Sequence, residues 1–352
     1  MVGGMVKVLR AHGKLLARYS RNPVMNPYLP MVASNDLLDD AAALRARIEA
    51  EGYLFLRGIL PVAVLQQLLD DVTAVLQAIG WIRGGAARLE AESLVLPCRE
   101  GESRYFEALD KIQQLESFHA LAHEPALLAV MELLLGEGAF PHPLGVMRLV
   151  FPNNPEVTTP PHQDYRNNQG TPRLTAAWIP LADCPLECGP LAILPGSQRL
   201  GLLPLDFHLG PGNRQAVLPA GVIESQWVSA DFKAGDVLLF PSLTVHKALP
   251  NQHPSRMRLS VDFRYQPEGE ALTEQSLNPH FGRQQWEQIY RGWSSQRLQY
   301  YWRQKRYAVV PWDASLHALP PEHWDQALRE DMIYERARQQ RFEAHHQPLA
   351  EE

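Results

Sequence analysis

The chain has 352 residues, of which 45% are hydrophobic and 20% charged, with a net charge of −6 and three cysteines. These values are ordinary for a globular protein. The negative charge gives no basic surface for nucleic acid, and so few thiols argue against a disulfide framework and for a reducing compartment. No stretch approaches the ~20 apolar residues of a membrane span, and residues 1–22 lack the apolar core of a secretory signal, so a cytoplasmic location without membrane contact is predicted.

The N-terminal part of the chain is predicted to be an arm followed by a helix. Residues 1–33 have weak hydrophobic periodicity and are assigned to the arm. The helix is predicted from Asp36 to Glu51, because Ser34 and Asn35 are favoured N-cap residues and Gly52 is a favoured residue just after a helix end.

A short strand and two further helices are predicted next. Tyr53–Arg57 forms the strand, and Pro61 opens the second helix, since proline is favoured in a first turn. A third helical region includes Leu121–Leu135 and stops at Gly136. The second helix has one apolar face, formed by Val64, Leu65, Leu68, Leu69, Val72, Leu76 and Ile79. These helices are expected to form a layer that packs against a sheet.

From Val146 onward, short β-rich runs alternate with turn residues, which favours a β-sandwich or a jelly-roll barrel. The predicted strands are Met147–Phe151, Leu174–Leu181, Leu191–Leu194, Val237–Phe240 and Leu259–Tyr265. Leu200–Val228, between them, is rich in glycine and proline and long enough to be an insert over the barrel mouth. Loops of this length often act as lids.

Beyond Pro267 the pattern predicts helices again. One apolar helical face is predicted from the spacing of Trp286, Ile289, Tyr290, Trp293, Leu298, Tyr301 and Trp302. This face is expected to pack on the outside of the barrel, and a homodimer interface is the alternative. The last twenty residues are polar and are expected to form a solvated helix end or tail.

The stretch Thr158–Asp164 carries the strongest chemical signal. Its two prolines force an extended approach, and on a strand His162 and Asp164 would lie on one face. An imidazole beside a carboxylate is two thirds of the 2-His-1-carboxylate triad that holds non-heme Fe(II), and His246 is the predicted third ligand. A second H-x-D match, His323-Trp324-Asp325, falls in a helical pattern where such residues point apart, so it is interpreted as structural.

An arginine follows the distal histidine on the next predicted strand. Arg256 lies ten residues after His246, and a guanidinium forms the bidentate pair with a carboxylate that a dicarboxylate cosubstrate would require. Arg258 shares a strand face with Arg256 by period two. The alternative roles for Arg258 are the cosubstrate anchor and a contact to the substrate.

These residues resemble the phytanoyl-CoA dioxygenase family of Fe(II)/2-oxoglutarate-dependent oxygenases, over about Gly52 to Tyr265. The resemblance is carried by Gly52–Gly58, His162-x-Asp164, Gly189–Ser197, Gly235-Asp236, His246, Asn251 and Arg256-x-x-x-Ser260. Cys188 and Gln198 depart from the family's pattern at positions that do not ligate iron in the family. The region beyond Pro267 lies outside the resemblance.

The resemblance implies an α+β fold with a double-stranded β-helix (jelly-roll) core and flanking helices. It implies Fe(II) held by His162, Asp164 and His246, and 2-oxoglutarate held by Arg256 and Ser260. It also places Trp178 beside the cosubstrate, with plain core packing as the alternative. The predicted domains are an arm at 1–33, the oxygenase domain at 34–267 and a C-terminal helical extension at 268–352.

The predicted function is hydroxylation of an unactivated C–H bond in a small molecule, with O2 as oxidant and decarboxylation of 2-oxoglutarate to succinate and CO2. An anionic substrate is one hypothesis, and structural pairing is the alternative, for Arg148, Arg166, Arg173, Arg258 and Arg264. Two other functions stay open: a jelly-roll metal- or ligand-binding protein without turnover, and a protein side-chain hydroxylase. The insert Leu200–Val228 argues against the latter, which needs an open mouth.

Overall fold

The computed structural model describes residues 27–82, 95 and 97–319. The α-helices in these residues are α1 Ala41–Glu51, α2 Val62–Ala78, α3 Ser103–Ile112, α4 Glu116–Leu121, α5 Pro125–Leu135 and α6 Trp286–Ile289. None of them combines the length and apolarity needed to cross a membrane. The strands are β1 Leu29–Pro30, β2 Leu54–Leu56, β3 Phe140–Pro141, β4 Val146–Val150, β5 Thr175–Pro180, β6 Leu191–Ile193, β7 Leu205–Phe207, β8 Arg214–Ala216, β9 Val228–Ser229, β10 Val237–Pro241, β11 His246–Ala248, β12 Arg258–Gln266, β13 Ala271–Thr273 and β14 Ala308–Val310.

Two sheets face each other and form the core. The larger has the order β2-β10-β5-β12-β3, with β4 also paired to β12, and all of its pairings are antiparallel. The smaller has the order β1-β9-β6-β11. Residues from both sheets share one buried cluster, which includes Phe55, Trp178, Ile193, Val228, Leu238, Phe240 and Ala248. This arrangement is the jelly-roll core, and it confirms the predicted fold class.

The helices cover the other face of the larger sheet. Because β10 is buried on both sides, its sequence Val237–Phe240 is continuously apolar instead of alternating. Val237 and Leu239 pack with the helices, whereas Leu238 and Phe240 face the smaller sheet. The predicted apolar face of α2 is confirmed at its centre, where Leu65, Leu68, Leu69, Val72 and Leu76 are all buried.

Strand β12 separates apolar from polar residues by period two. Leu259, Val261, Phe263 and Tyr265 belong to the cluster shared with the helices. The opposite face, toward the interior of the jelly roll, is polar and buried along its whole length, with Arg258, Ser260, Asp262, Arg264 and Gln266. A buried polar face needs partners for every group, so this strand is expected to carry the functional site.

The start of α1 differs from the prediction. Gly52 ends the helix with φ +76°, as predicted, but the N-cap is Asp40, whose side chain accepts from the backbone N–H groups of Ala42 and Ala43 at 3.0 Å. Asn35 cannot cap the helix, because its amide bonds both backbone groups of Arg57 at 2.8 Å. The third predicted helical region is likewise two helices, α4 and α5, with Pro125 in the first turn of α5.

The predicted helical face between Trp286 and Trp302 is wrong. α6 is a single turn, Tyr290–Gly292 and Tyr301–Gln304 are 3-10 turns, and Trp293 and Leu298 lie in the non-helical residues between them. The aromatic side chains instead bury one another in a compact cluster centred on Trp286, Ile289, Tyr290 and Trp302. β13 and β14 add a small parallel sheet. The match at His323 and the polar tail lie outside the described residues.

Burial of His142 predicts a loss of stability in mild acid. The imidazole is 2% exposed, its Nε2 lies 2.7 Å from Gln266 Oε1, and burial lowers its pKa to about 4. Since the unfolded pKa is about 6.5, the unfolded chain binds the proton more readily. This stabilisation is complete above about pH 6.5 and is lost as pH falls toward about 4.

We expect His142 to account for about 1–2 kcal/mol of the stability lost between about pH 7.5 and pH 5. Urea unfolding of the parent chain and of His142→Asn at both pH values measures this contribution as a difference. The variant should be less stable at neutral pH but should lose less on acidification. Equal losses in both proteins would contradict the prediction.

Candidate metal centre and cosubstrate site

Two backbone hydrogen bonds place His162 next to His246. The N–H of His162 donates to the carbonyl of His246 at 2.9 Å, and the reverse bond is 3.1 Å. The predicted strand through His162 is limited to this bridge, because Asp164 begins a 3-10 turn that ends at Arg166. Gln163 between them is extended, with φ −126° and ψ 128°, so the two flanking side chains still converge as predicted.

The three predicted metal ligands lie together. The Nε2 atoms of His162 and His246 are each 3.8 Å from Asp164 Oδ1. One donor atom from each residue lies within 4.8 Å of the other two. Two imidazoles and one carboxylate in this arrangement match the donor set of the facial triad for non-heme Fe(II).

Backbone carbonyls orient both imidazoles. Pro160 O lies 2.8 Å from His162 Nδ1, and Thr244 O lies 3.0 Å from His246 Nδ1. A carbonyl can only accept, so each Nδ1 carries the proton and each Nε2 presents its lone pair toward Asp164. Burial lowers the pKa of His162 to about 3 and also lowers the pKa of His246, so both rings are neutral, as metal ligands must be.

Arg264 holds the carboxylate of the cluster. Its Nη2 lies 3.1 Å from Asp164 Oδ2, and its Nε lies 3.2 Å from the same oxygen. Burial would raise the pKa of Asp164, but the Arg264 guanidinium outweighs it and holds that pKa below its usual range. The sequence marked Arg264 only as one of several arginines near the site, so this orienting role was missed.

Arg258 is a buried cation that pairs with no carboxylate of the described residues. It is 5% exposed, and its Nη1 donates to Ser260 Oγ at 2.8 Å. Its Nε is buried and has no hydrogen-bond partner, and no carboxylate of the described residues lies within 4.0 Å of the guanidinium. A buried charge in this state is costly unless an anion joins it, so the position fits the distal carboxylate of 2-oxoglutarate.

Of the other residues predicted to bind the cosubstrate, Trp178 and Ser260 lie with Arg258, but Arg256 does not. Trp178 lies beside Arg258: its Nε1 donates to Ser260 Oγ at 3.1 Å, and the guanidinium is 5.7 Å from the indole centroid. Arg256 instead precedes β12 and is only partly buried, and its Nη2 contacts Cys188 Sγ. The anchor predicted at Arg256 therefore lies outside the buried polar face that holds Arg258 and Ser260.

A cavity of about 320 Å³ opens beside His162 and Asp164. The insert contributes Leu205 and Arg214 to its wall, and the region beyond β12 contributes Phe281 and His317. A volume of this size is at the lower end of the range for small-molecule sites.

The family model described as phytanoyl-CoA dioxygenase (PhyH) matches residues 48–259, which include the triad, Trp178 and Arg258. The chain belongs to the phytanoyl-CoA dioxygenase family. It is accordingly an Fe(II)/2-oxoglutarate-dependent dioxygenase, with Fe(II), 2-oxoglutarate and O2 as its cofactor and cosubstrates. The predicted family is confirmed.

Curated relatives include 1-deoxypentalenic acid 11-beta-hydroxylases of two Streptomyces species. The protein of Streptomyces arenae is 29% identical over 257 residues, covering 69% of this chain and 87% of the relative. That of Streptomyces exfoliatus is 28% identical over 258 residues with the same coverage. Among solved structures, the epimerase SnoN in complex with Fe3+, alpha ketoglutarate and nogalamycin RO is 24% identical, with a TM-score of 0.48, covering 66% of this chain and 86% of SnoN.

Proposed function

We propose that this member of the phytanoyl-CoA dioxygenase family hydroxylates an unactivated C–H bond of a small organic acid, with decarboxylation of 2-oxoglutarate to succinate and CO2. His162, Asp164 and His246 hold Fe(II) in this proposal. The observation that carries it is the convergence of two lone pairs and one carboxylate oxygen within 4.8 Å of one another. The names of the two curated relatives, hydroxylases of a carboxylic acid, support both the reaction and the substrate class.

We assign the cosubstrate anchor to Arg258, and not to Arg256 as the sequence favoured. Arg258 lies in the jelly-roll interior on the strand face that also carries Ser260 and Arg264. Neither guanidinium has a carboxylate partner among the described residues, but Arg258 is buried, whereas Arg256 is only partly buried and contacts Cys188 Sγ outside this face. Trp178 and Ser260 would help to orient the distal carboxylate of 2-oxoglutarate at Arg258.

The chemistry is divided between the bound groups and the protein. When bound, Fe(II) and 2-oxoglutarate would activate O2, with O2 as the oxidant of the C–H bond and 2-oxoglutarate as the source of two electrons. Burial keeps both imidazoles neutral, and the carbonyls of Pro160 and Thr244 orient them. Arg264 fixes Asp164, and such partners of ligands usually tune metal affinity.

We propose that residues 34–267 form the oxygenase domain and that residues 268–352 form an extension, of which the described residues 268–319 complete the cavity. The family match to residues 48–259 and the cavity-lining Phe281 and His317 support this division. The aromatic cluster of the extension packs within one chain, Trp286 being 9% and Trp302 5% exposed, which supports intramolecular packing. A homodimer through this region stays a prediction.

Substrate-stimulated succinate release tests the proposed function. The protein is reconstituted anaerobically with Fe(II) and 2-oxoglutarate, exposed to O2 and screened against small organic acids. We expect at least one acid to raise succinate formation above the uncoupled rate, with one hydroxylated product per succinate. Tight binding of both cofactors without any succinate would instead indicate a binding protein, and stimulation by a peptide alone would indicate a protein hydroxylase.

A further inference from the structure

Two arginines of the cavity wall differ from the others in how they are held. Arg166 ends the 3-10 turn that begins at Asp164, and Arg214 begins β8 in the insert. Both line the cavity that contains His162 and Asp164. They come from separate segments of the chain, so the fold itself brings two cations to one side of the pocket.

Backbone carbonyls fix both guanidinium groups without neutralising them. Arg166 donates to the carbonyls of Leu203 and Leu316. Arg214 donates from Nε to His317 O at 2.6 Å and from Nη1 to Gly212 O at 2.7 Å. A guanidinium has five N–H groups, so each arginine keeps three that these bonds do not use.

The other two arginines of the cavity are already paired with carboxylates. Arg148 binds Glu100 at 2.7 Å and Asp262 at 2.9 Å, and Arg264 binds Asp164. In the described part of the chain, no carboxylate lies within 4.0 Å of Arg166 or Arg214. The cavity therefore carries an uncompensated positive charge at these two residues, although the chain as a whole is acidic.

The C-terminal extension completes the same wall. His317 and Leu316 supply the carbonyls that clamp Arg214 and Arg166, and His317 Nε2 lies against Asn167 Oδ1 at 2.5 Å. The contribution lies beyond the residues matched by the family model, which ends at 259.

The apolar side chain of Phe281 lines the same cavity. Phe281 is 41% exposed and adopts φ +66°, a left-handed conformation that is unfavourable for a bulky residue. It packs edge-on against Phe106, with the centroids 5.0 Å apart. Backbone strain of this kind concentrates at ligand sites, where surrounding structure enforces it.

We propose that Arg166 and Arg214 bind the anionic group of the substrate, and that its apolar body lies against Phe281 and Leu205. The ligand class is a small oxyanion, a carboxylate or a phosphate monoester, on an apolar skeleton. Two fixed guanidinium groups with unused N–H donors recognise such an oxyanion by charge-assisted hydrogen bonds. This inference rests on the proposed function for its substrate, but the site itself is defined by binding.

Binding of simple probes tests the site without turnover. The full chain, loaded anaerobically with Fe(II) and saturating 2-oxoglutarate, is titrated by calorimetry with 2-naphthoate, 1-naphthyl phosphate and 2-naphthamide. We expect one or both anions to bind at least about 10-fold more tightly than the neutral amide, because a hydrogen bond between two charged groups is stronger than one to a neutral group. The stronger of the two anions identifies the oxyanion.

The variants Arg166→Gln and Arg214→Gln should each weaken binding of the preferred anion by about 10-fold or more and leave the affinity for the amide unchanged. Arg173→Gln is the matched control, because Arg173 lies outside the cavity wall and pairs with Glu270 at 2.6 Å. The affinity for 2-oxoglutarate should stay at the parent value in all three variants, which also reports that they fold.

The anion site would be overturned if the parent chain bound the anions and the amide equally well, or if neither cavity variant changed the affinity for the anion. It would also be overturned if Arg173→Gln lost as much anion affinity as the cavity variants. Failure of the proposed function has a different signature. In that case the arginine-dependent preference for an anion persists, while no organic acid stimulates succinate release.

Discussion

Replacement of His246 with alanine is expected to weaken Fe(II) binding by more than about 100-fold and to abolish succinate release. Even residues that only support a metal ligand typically alter affinity by 10–100-fold, and His246 would be a ligand itself. Alanine leaves one imidazole and Asp164, whose carboxylate is shared with Arg264. Anaerobic calorimetric titration with Fe(II), followed by metal analysis after desalting, measures the loss.

His253→Ala is the matched control for this variant. This variant also removes an imidazole, but that of His253 is only partly buried and lies outside the triad. Its Nδ1 accepts hydrogen bonds from the backbone N–H groups of Ser255 and Arg256. We expect its iron affinity to match that of the parent chain. Far-UV circular dichroism checks that His246→Ala is folded, and added free imidazole should partly restore its iron binding. A folded His246→Ala protein with parental iron affinity would refute the metal centre.

Local patterns predicted much of the core and the extended approach to His162. The continuous apolar run of β10 and the turn at Gly235-Asp236 are determined by neighbours in sequence, and Asp236 indeed accepts from the N–H of Lys233 at 2.9 Å. The two prolines before His162 likewise fix an extended approach locally. These features could be predicted because the physical forces that produce them act over a few residues.

Features that depend on distant partners were not predictable in the same way. Asn35 is a good N-cap by type, but a contact to Arg57 removes it from that role. The aromatic spacing between Trp286 and Trp302 suits a helix, yet the same side chains also satisfy one another across 3-10 turns. Arg258 and Arg264 lie on one face of β12, but whether a carboxylate pairs with each arginine depends on residues far away in the sequence.

The choice between Arg256 and Arg258 illustrates this limit at the cosubstrate site. A family-like spacing to Ser260 favoured Arg256, and both residues have the same parity on an extended strand. The structure begins β12 only at Arg258, so Arg256 falls in the preceding loop and contacts Cys188. The criterion that separates the two residues is burial of an uncompensated charge, which no sequence pattern reports directly.

We therefore expect Arg258→Gln to weaken binding of 2-oxoglutarate by at least about 30-fold. Truncation of one partner in a buried, hydrogen-bonded charge pair typically costs 2–5 kcal/mol, because the other charge is left unpaired. Glutamine keeps a hydrogen-bond donor near Ser260 but removes the charge. Calorimetric titration of the anaerobic Fe(II)-loaded protein with 2-oxoglutarate measures the effect independently of turnover.

Arg256→Gln provides the control, since it removes the same charge two residues earlier. Its guanidinium is partly buried and contacts a thiol, so we expect a change in 2-oxoglutarate affinity of no more than about 3-fold, the scale of an exposed charge interaction. The Fe(II) affinity of both variants should equal that of the parent chain, because neither arginine contacts the triad. A large loss of 2-oxoglutarate affinity in Arg256→Gln, with parental affinity in Arg258→Gln, would show that Arg256 in the loop is the anchor. In that case the buried charge of Arg258 would be balanced by something other than the cosubstrate.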